Sequence, residues 1–203
     1  MHGSENNISG AHNASGSCCT HHLNSGANPY CLRVIAPEDD AALKDLILSV
    51  VVEHGITDSE YNTNPSELEE LSVQFSSPGC RYWVVEEAAT GRLLGGGGLA
   101  VLPGGDGSIC ELQKLYLHPD ARGHGLGKQL LERLLLDGIE LGYRQMYLEI
   151  HPTLVKSQVL YEKMGFQRIE HRLGNTGHEC CGVFMLRPLT LLNTSASNTE
   201  PVL

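Results

Sequence analysis

The stretch HPDARGHGLGKQLLERLLL (His118–Leu136) places three glycines and an arginine directly before the most regular helical pattern of the chain. The leucines of this pattern have the spacing of one buried helix face, namely Leu126, Leu130, Leu131, Leu134 and Leu135. Each glycine weakens a helix by about 1 kcal/mol relative to alanine. Because three glycines cluster at the helix entrance, we expect a backbone that a ligand approaches closely.

Two common phosphate-binding loops do not fit this stretch. A P-loop needs Ser or Thr after Gly-Lys, whereas Gln129 follows here. The dinucleotide fingerprint Gly-x-Gly-x-x-Gly fails in both possible registers, because Lys128 or Leu130 replaces its third glycine. What remains is Arg-x-x-Gly-x-Gly (Arg122–Gly127), between a long strand and a helix. Backbone N–H groups and the arginine then predict a pyrophosphate site, and the alternative is a turn that only tightens helix entry.

The sequence around this loop resembles the acetyl-CoA-binding motif of the GNAT superfamily of N-acetyltransferases. ELQKLYLHPDARGHGLGKQLLERLL (Glu111–Leu135) is similar to the strand, loop and helix of that motif. MYLEI (Met146–Ile150), followed by LYEKMGFQRI (Leu160–Ile169), is similar to the family's next motif. Both motifs occur in the expected order, and the resemblance extends over residues 31–188.

The resemblance implies which residues hold acetyl-CoA as a co-substrate. Loop amides would bind the pyrophosphate, and the pantetheine arm would lie along the preceding strand. In the family, this strand splays away from a parallel neighbour, and an exposed backbone N–H polarises the thioester carbonyl. The implied contacts are Leu115, Tyr116, Leu117, Arg122, Gly123, His124, Gly125, Leu126, Gly127 and Lys128.

Acetylation of a primary amine requires a proton acceptor, because such an amine has a pKa of about 10.4 and is protonated at pH 7. Glu111 is the leading candidate: apolar neighbours raise a carboxyl pKa, and similar family members use a glutamate at this offset as the base. Glu149 and His151 are rivals, and a solvent-facing or ion-paired Glu111 is the alternative. Tyr161 matches the tyrosine of the family's LYxxxGF pattern, which implies that it protonates or orients the departing sulfur. Its alternative role is a core aromatic.

The predicted elements follow the order β-α-α-β-β-β-α-β-α-β-β, which indicates a mixed α/β sheet with helices on its faces. The resemblance implies a twisted, mostly antiparallel sheet of six to seven strands with two splayed parallel strands. A second helix is predicted from Asn64 through Leu71. Four consecutive glycines, Gly95–Gly98, interrupt a strand and predict a loosely packed bulge, with clearance for a substrate as the alternative.

The amino-acid composition predicts three segments of the chain and argues against some functional classes. Residues 1–29, rich in Gly, Ser, Asn and His, predict a disordered leader, residues 30–190 the acetyltransferase domain, and residues 191–203 a flexible tail. A net charge of −10 argues against nucleic-acid binding and suits a cationic amine. The absence of a long apolar run predicts no membrane contact. Without a secretory signal, seven cysteines indicate reduced thiols in a cytoplasmic protein.

The expected protein is therefore an N-acetyltransferase that acts in a ternary complex on a primary amine of a small molecule or peptide, as a monomer or homodimer. A non-catalytic acyl-CoA-binding regulatory protein is the alternative. No metal is expected, because Cys18–His22 and His178–Cys181 lack the spacing of a ligand set. The resemblance implies that the acceptor is selected by the first helix, the Gly55–Asn64 loop and the segment near His171–Cys180, and these carry no motif that identifies it.

Overall fold

The computed structural model describes residues 28–56, 65–177 and 181–190. The predicted leader and tail lie almost wholly outside these ranges, so the proposed domain limits stay predictions. Residues 57–64 and 178–180 also lie outside them, and they belong to two of the segments expected to select the acceptor. No helix in the described ranges has both the length and the apolar character needed to cross a bilayer.

The described residues contain seven strands and four α-helices in the predicted order. The predicted helix from Asn64 through Leu71 is wrong: a 3-10 turn spans Pro65–Leu68, and a separate short helix follows it. The elements are β1 (Tyr30–Val34), α1 (Asp40–Glu53), α2 (Leu71–Gln74), β2 (Arg81–Glu87), β3 (Leu93–Val101), β4 (Ile109–Leu117), α3 (Leu126–Glu140), β5 (Gln145–Ile150), α4 (Val155–Lys163), β6 (Gln167–Ile169) and β7 (Val183–Pro188).

The strands form one sheet in the order β1-β2-β3-β4-β5-β7-β6. Neighbouring strands pair antiparallel except β4 and β5, which pair parallel. Their connection passes through α3, as a parallel pair requires. The predicted fold class, a mostly antiparallel mixed sheet with one parallel pair, is confirmed.

Helices cover both faces of the sheet, because alternate side chains of a strand point to opposite faces. On β2, Val84 packs in the cluster that contains Leu43 and Ile47 of α1. Its neighbour Val85 packs in the second cluster, with the buried leucines of α3. All five leucines predicted for the buried face of α3 are at most 5% exposed.

The parallel pair separates soon after it starts. Its register runs from Ile109 opposite Gln145 to Glu111 opposite Tyr147, and then ends. Both strands continue beyond this point, β4 as far as Leu117. On the other edge of β4, the register with β3 shifts between Gly96 and Gly98, which marks a bulge. The bulge and the separation of the two strands produce an opening in the middle of the sheet.

Candidate active site

A cleft of about 660 Å³ lies where β4 and β5 separate. Its walls come from the end of α1, the second half of β4, the loop before α3, the end of β5 and the start of α4. The structure brings the predicted cofactor contacts together along this cleft. The exception is His124, which is exposed and packs its ring against Tyr30 with centroids 5.4 Å apart.

The glycine loop presents a row of backbone donors at the mouth of the cleft. Gly123 and Gly125 adopt φ of 83° and 76°, a region that glycine enters without steric cost. The first backbone hydrogen bond of α3 runs from the N–H of Gln129 to the carbonyl of Gly125, at 3.0 Å. Within the described residues, the N–H groups from Gly123 to Lys128 donate to no other backbone group. This arrangement is suited to an anion, because the helix dipole adds to the exposed donors.

Arg122 is held by an acid that the sequence did not single out. Its guanidinium donates two hydrogen bonds to the Glu53 carboxylate, at 2.6 and 2.8 Å, and one to the carbonyl of Leu117 at 3.1 Å. The Arg122 hydrogen bonds lower the pKa of Glu53. The charge of Arg122 is therefore balanced, and its fixed side chain ties the end of α1 to the end of β4.

Glu111 lies where the pairing of β4 and β5 ends, and it is only 2% exposed. Burial raises the pKa of Glu111 to about 7, although the hydrogen bond from Gln113 Nε2, at 2.6 Å, opposes the rise; the Glu149 charge adds to it. A carboxyl with this pKa can exchange a proton near neutral pH. Glu111 is not among the residues that line the cleft, whereas the next residue of β4, Leu112, is.

The two rival bases line the cleft but have local partners. Glu149 has a fully buried side chain, lies 3.1 Å from the guanidinium of Arg172, and accepts hydrogen bonds from the hydroxyls of Tyr147 (3.0 Å) and Thr176 (2.6 Å). The ring of His151 lies 2.8 Å from the Thr153 hydroxyl. Each rival base therefore already has polar partners among the described residues.

Tyr161 lines the cleft from α4 and is 6% exposed, with its ring against Phe166 at 5.8 Å between centroids. Burial raises the pKa of Tyr161 above its ordinary value. A thiol has a pKa of about 8.5, so full proton transfer from this phenol to a thiolate is uphill. The core packing against Phe166 holds the ring in place.

The comparisons with known proteins agree with this geometry. Residues 51–166 match the model of the acetyltransferase (GNAT) family. The chain is 42% identical over 159 residues to the uncharacterised N-acetyltransferase YjgM of Escherichia coli K12, a match that covers 78% of this chain and 94% of the relative.

This chain belongs to the GNAT acetyltransferase family.

Solved GNAT structures share the fold. An acetyltransferase of Staphylococcus aureus Mu50 aligns with a TM-score of 0.70 at 20% identity, over 79% of this chain and 99% of that one. The Salmonella typhimurium protein yncA, solved with acetyl-CoA, aligns with a TM-score of 0.63 at 24% identity, over 80% and 95%. Family membership confirms the expected enzyme class, an acyltransferase of the GNAT superfamily.

The GNAT cleft contains a buried cation that the sequence did not mark. Lys114 lines the cleft, its side chain is 8% exposed, and its backbone has a φ of 52°. Non-glycine residues enter this left-handed region at a cost of about 1–2 kcal/mol. The hydroxyl of Tyr82 donates to the Lys114 carbonyl at 3.0 Å and holds the bulge in this conformation.

The four-glycine run of β3 makes room for this contact. A Cβ at Gly96 would lie 2.6 Å from the Tyr82 ring, and one at Gly98 would lie 2.5 Å from it. At Gly95 and Gly97, the added atom would meet the bulged strand β4 at 2.4 and 3.1 Å. The register does shift at this run, but the extra residue lies in β4 and not in the glycine strand. The prediction of loose packing is wrong, and the clearance serves Tyr82 and β4.

The two clusters of His and Cys residues that the sequence analysis considered as metal ligands lie mostly outside the described residues. Cys18–His22 and residues 178–180 lie outside the described ranges. Among the described residues, no group of three or more His, Cys, Asp or Glu side chains is arranged to hold a metal ion.

Proposed function

We propose that this protein transfers the acetyl group of acetyl-CoA to a primary amine, with both substrates bound together. The observation that carries the proposal is the placement of two features at opposite ends of one cleft. Backbone N–H groups that donate to no other backbone group in the described part of the chain form one end, and a buried carboxyl with a pKa of about 7 lies beside the other. The N–H groups can bind a pyrophosphate, and the carboxyl can act as a general base.

The donor would lie along the length of the cleft. The N–H groups from Gly123 to Lys128 would hold its pyrophosphate, and Lys128 adds charge there. The pantetheine arm would follow Leu115–Leu117, beyond the end of the β4–β5 register. The similar fold solved with acetyl-CoA in the Salmonella protein supports this placement. The bound donor supplies the thioester that the acceptor attacks.

Residues of this chain would then accept the proton of the acceptor and orient the sulfur of the donor. The ammonium of the acceptor loses its proton, through a water, to the carboxylate of Glu111. The amine nitrogen bonds to the acetyl carbon as the carbon–sulfur bond breaks, and the sulfur leaves with the bonding electron pair. The second proton of the nitrogen then passes through water to the departing sulfur, which gives the amide and the free thiol of CoA. Tyr161 donates a hydrogen bond that orients the sulfur. The acceptor is expected to be a small molecule or peptide amine.

The test is a thiol-release assay with acetyl-CoA across amino acids, polyamines, aminoglycosides and lysine peptides, on the wild type and Glu111→Gln. Removing the base should lower kcat/KM by about 10²- to 10⁴-fold, because general-base catalysis contributes this much. The dissociation constant of acetyl-CoA, measured by calorimetry, should change less than about twofold. In the wild type, log(kcat/KM) should rise with pH and level off above about 7, where Glu111 is ionised.

Glu149→Gln is the matched control, since it removes the neighbouring buried carboxylate. It is expected to keep turnover, with the rise of the pH profile moved to lower pH, because the Glu149 charge raises the pKa of Glu111. The assignment of the base would fail if Glu149→Gln, rather than Glu111→Gln, abolished turnover. A folded wild type that binds no acetyl-CoA would overturn the whole proposal. Tight acetyl-CoA binding without turnover of any amine would favour the regulatory acyl-CoA-binding protein instead.

A further inference from the structure

Lys114 is a buried cation that lacks a close partner. Within the described residues its ammonium makes no hydrogen bond, and the nearest carboxylate oxygen, on Glu67, is 4.0 Å away. Half of the Glu67 side chain is exposed, so this contact contributes little. Buried lysines are almost always paired. Lys114 Nζ is not among the fully buried atoms without a hydrogen bond, and Lys114 lines the cleft, so its donors face the cleft and are available to a ligand bound there.

Two other cations along the cleft, Arg122 and Lys128, have carboxylate partners, and a third, Lys156, is exposed to solvent. Arg122 donates two hydrogen bonds to Glu53, and Lys128 lies 3.4 Å from Glu132. Glu111 is close enough to interact with the Lys114 charge, but one of its oxygens already accepts from Gln113. Burial lowers the pKa of Lys114, and a bound anion would offset that cost.

The backbone fixes where this ammonium lies. Lys114 occupies the bulge of β4 in a left-handed conformation, and Tyr82 holds its carbonyl. Strain of this kind persists when the surrounding structure enforces it, and it is concentrated at ligand-binding sites. The rings and glycines beneath Lys114 are tightly packed. The ammonium is thus held at a fixed place before any ligand arrives, which lowers the entropic cost of binding.

The position of Lys114 along β4 indicates which ligand it meets. It follows Glu111, where the parallel register ends, and precedes Leu115–Leu117, which lead to the glycine loop. Lys114 therefore lies nearer to the proposed reacting groups than to the proposed pyrophosphate site. Near it, the carboxylate of Glu111 suits the ammonium of an acceptor, whereas Lys114 suits an anion. A neutral carbonyl would leave the buried charge uncompensated, but a carboxylate would balance it.

We propose that Lys114 binds the carboxylate of the acceptor, so that the acceptors of this enzyme are amino acids and related amino-carboxylates. The inference rests on the proposed function for the identity of the reaction. It adds the class of acceptor, and it assigns Lys114 as a specificity-determining residue that contacts the substrate.

The test compares each amino acid with its own amide, which keeps the amine and loses the charge of the carboxylate. Hydrogen bonds to charged groups correspond to about 10- to 100-fold in affinity. With the wild type, kcat/KM for the best amino acid should exceed that for its amide by this factor. Lys114→Met should bring the ratio to within about threefold and leave acetyl-CoA affinity within about twofold. Lys44→Met, which removes a lysine paired with Glu69, should keep the wild-type ratio.

Calorimetric titration of the same acid and amide into the CoA complex gives a readout that does not need turnover. The acid should bind at least about 10-fold more tightly than the amide to the wild type, and equally weakly to Lys114→Met. Equal binding and equal turnover of acid and amide by the wild type would overturn the inference, even if acetylation itself is observed. Acid-selective binding without turnover would keep the anion site and reject the proposed reaction. Lys114→Gln repeats the comparison with a polar side chain if Lys114→Met does not fold.

Discussion

The three glycines at the start of α3, Gly123, Gly125 and Gly127, have different structural environments. Gly123 and Gly125 adopt positive φ, and a Cβ on Gly123 would meet no described atom within 4 Å. Gly127 has ordinary helical geometry, but an added Cβ would lie 3.4 Å from Leu117 and 3.5 Å from Leu160. Two glycines therefore set the backbone turn and leave open space beside it, whereas an added Cβ at Gly127 would make only ordinary van der Waals contacts, so packing does not require glycine there.

We predict that Gly125→Ala weakens both the fold and acetyl-CoA binding. A left-handed alanine costs about 1–2 kcal/mol of unfolding free energy, and its methyl enters the space expected for the pyrophosphate. Gly142→Ala is the matched control: its φ is 85°, it follows the far end of α3, and no described atom lies within 4 Å of the added Cβ. Urea unfolding should show a similar loss for both variants. Calorimetry should show at least a 10-fold weaker acetyl-CoA affinity for Gly125→Ala alone, and equal affinities would refute the assigned site.

At the scale of elements, β3 and β4 determine whether the cleft exists. The glycines of β3 let the Tyr82 ring cross the strand and reach the bulge of β4. The bulge places Lys114 in the cleft. A strand rich in glycine loses stability through backbone entropy, but here the missing side chains are replaced by the close approach of Tyr82 and Leu115.

We expect Gly98→Ala to destabilise the protein by about 1–3 kcal/mol, as overpacking of a core does. Its Cβ would lie 2.5 Å from Tyr82, 2.7 Å from Phe75 and 2.8 Å from the backbone oxygen of Arg81, which cannot move away easily. Gly105→Ala, whose Cβ would lie 3.3 Å from its nearest neighbour, is the comparison and should cost clearly less. Denaturant unfolding of both variants measures the difference. If Gly98→Ala were neutral, the tight packing of this strand would be disproved.

At the scale of the whole molecule, burial of the proposed base links stability to pH. The protein carries a net charge of −10, and most of its acids lie on the surface. Glu111 is different, because burial raises its pKa from 4.5 to about 7. A carboxyl with a raised pKa binds its proton more tightly in the folded state. Its contribution to stability is present below pH 4.5 and is lost as the pH rises to about 7.

Glu111→Gln should therefore gain stability relative to the wild type as the pH rises. The difference in unfolding free energy should grow by about 3 kcal/mol between pH 4 and pH 8, since each unit of pKa shift corresponds to about 1.4 kcal/mol. Most of the change should occur between pH 4.5 and 7. Urea unfolding of the two proteins across this range is the measurement. Parallel stability curves would mean that Glu111 titrates normally.

Much of the fold follows from local sequence patterns. The element order could be predicted from short-range signals: the apolar pattern of the strands, the leucine spacing of α3 and the end of α1 before Gly55. Each of these signals acts within a few residues. The second helix was misjudged, since the short pieces Pro65–Leu68 and Leu71–Gln74 depend on packing against α1 more than on propensity. Two motifs in order were enough to recognise the family.

The sequence by itself determined the glycine loop, the position of Glu111 before it and the class of chemistry. These depend on residue type and short spacing. Only the tertiary structure decided that Glu53, 69 residues away, binds Arg122, and that Glu149 is enclosed by Tyr147, Thr176 and Arg172. It also decided that Lys114 is buried in the cleft. The reason is physical: strand register and one bulge bring distant residues together, and burial then sets their charge.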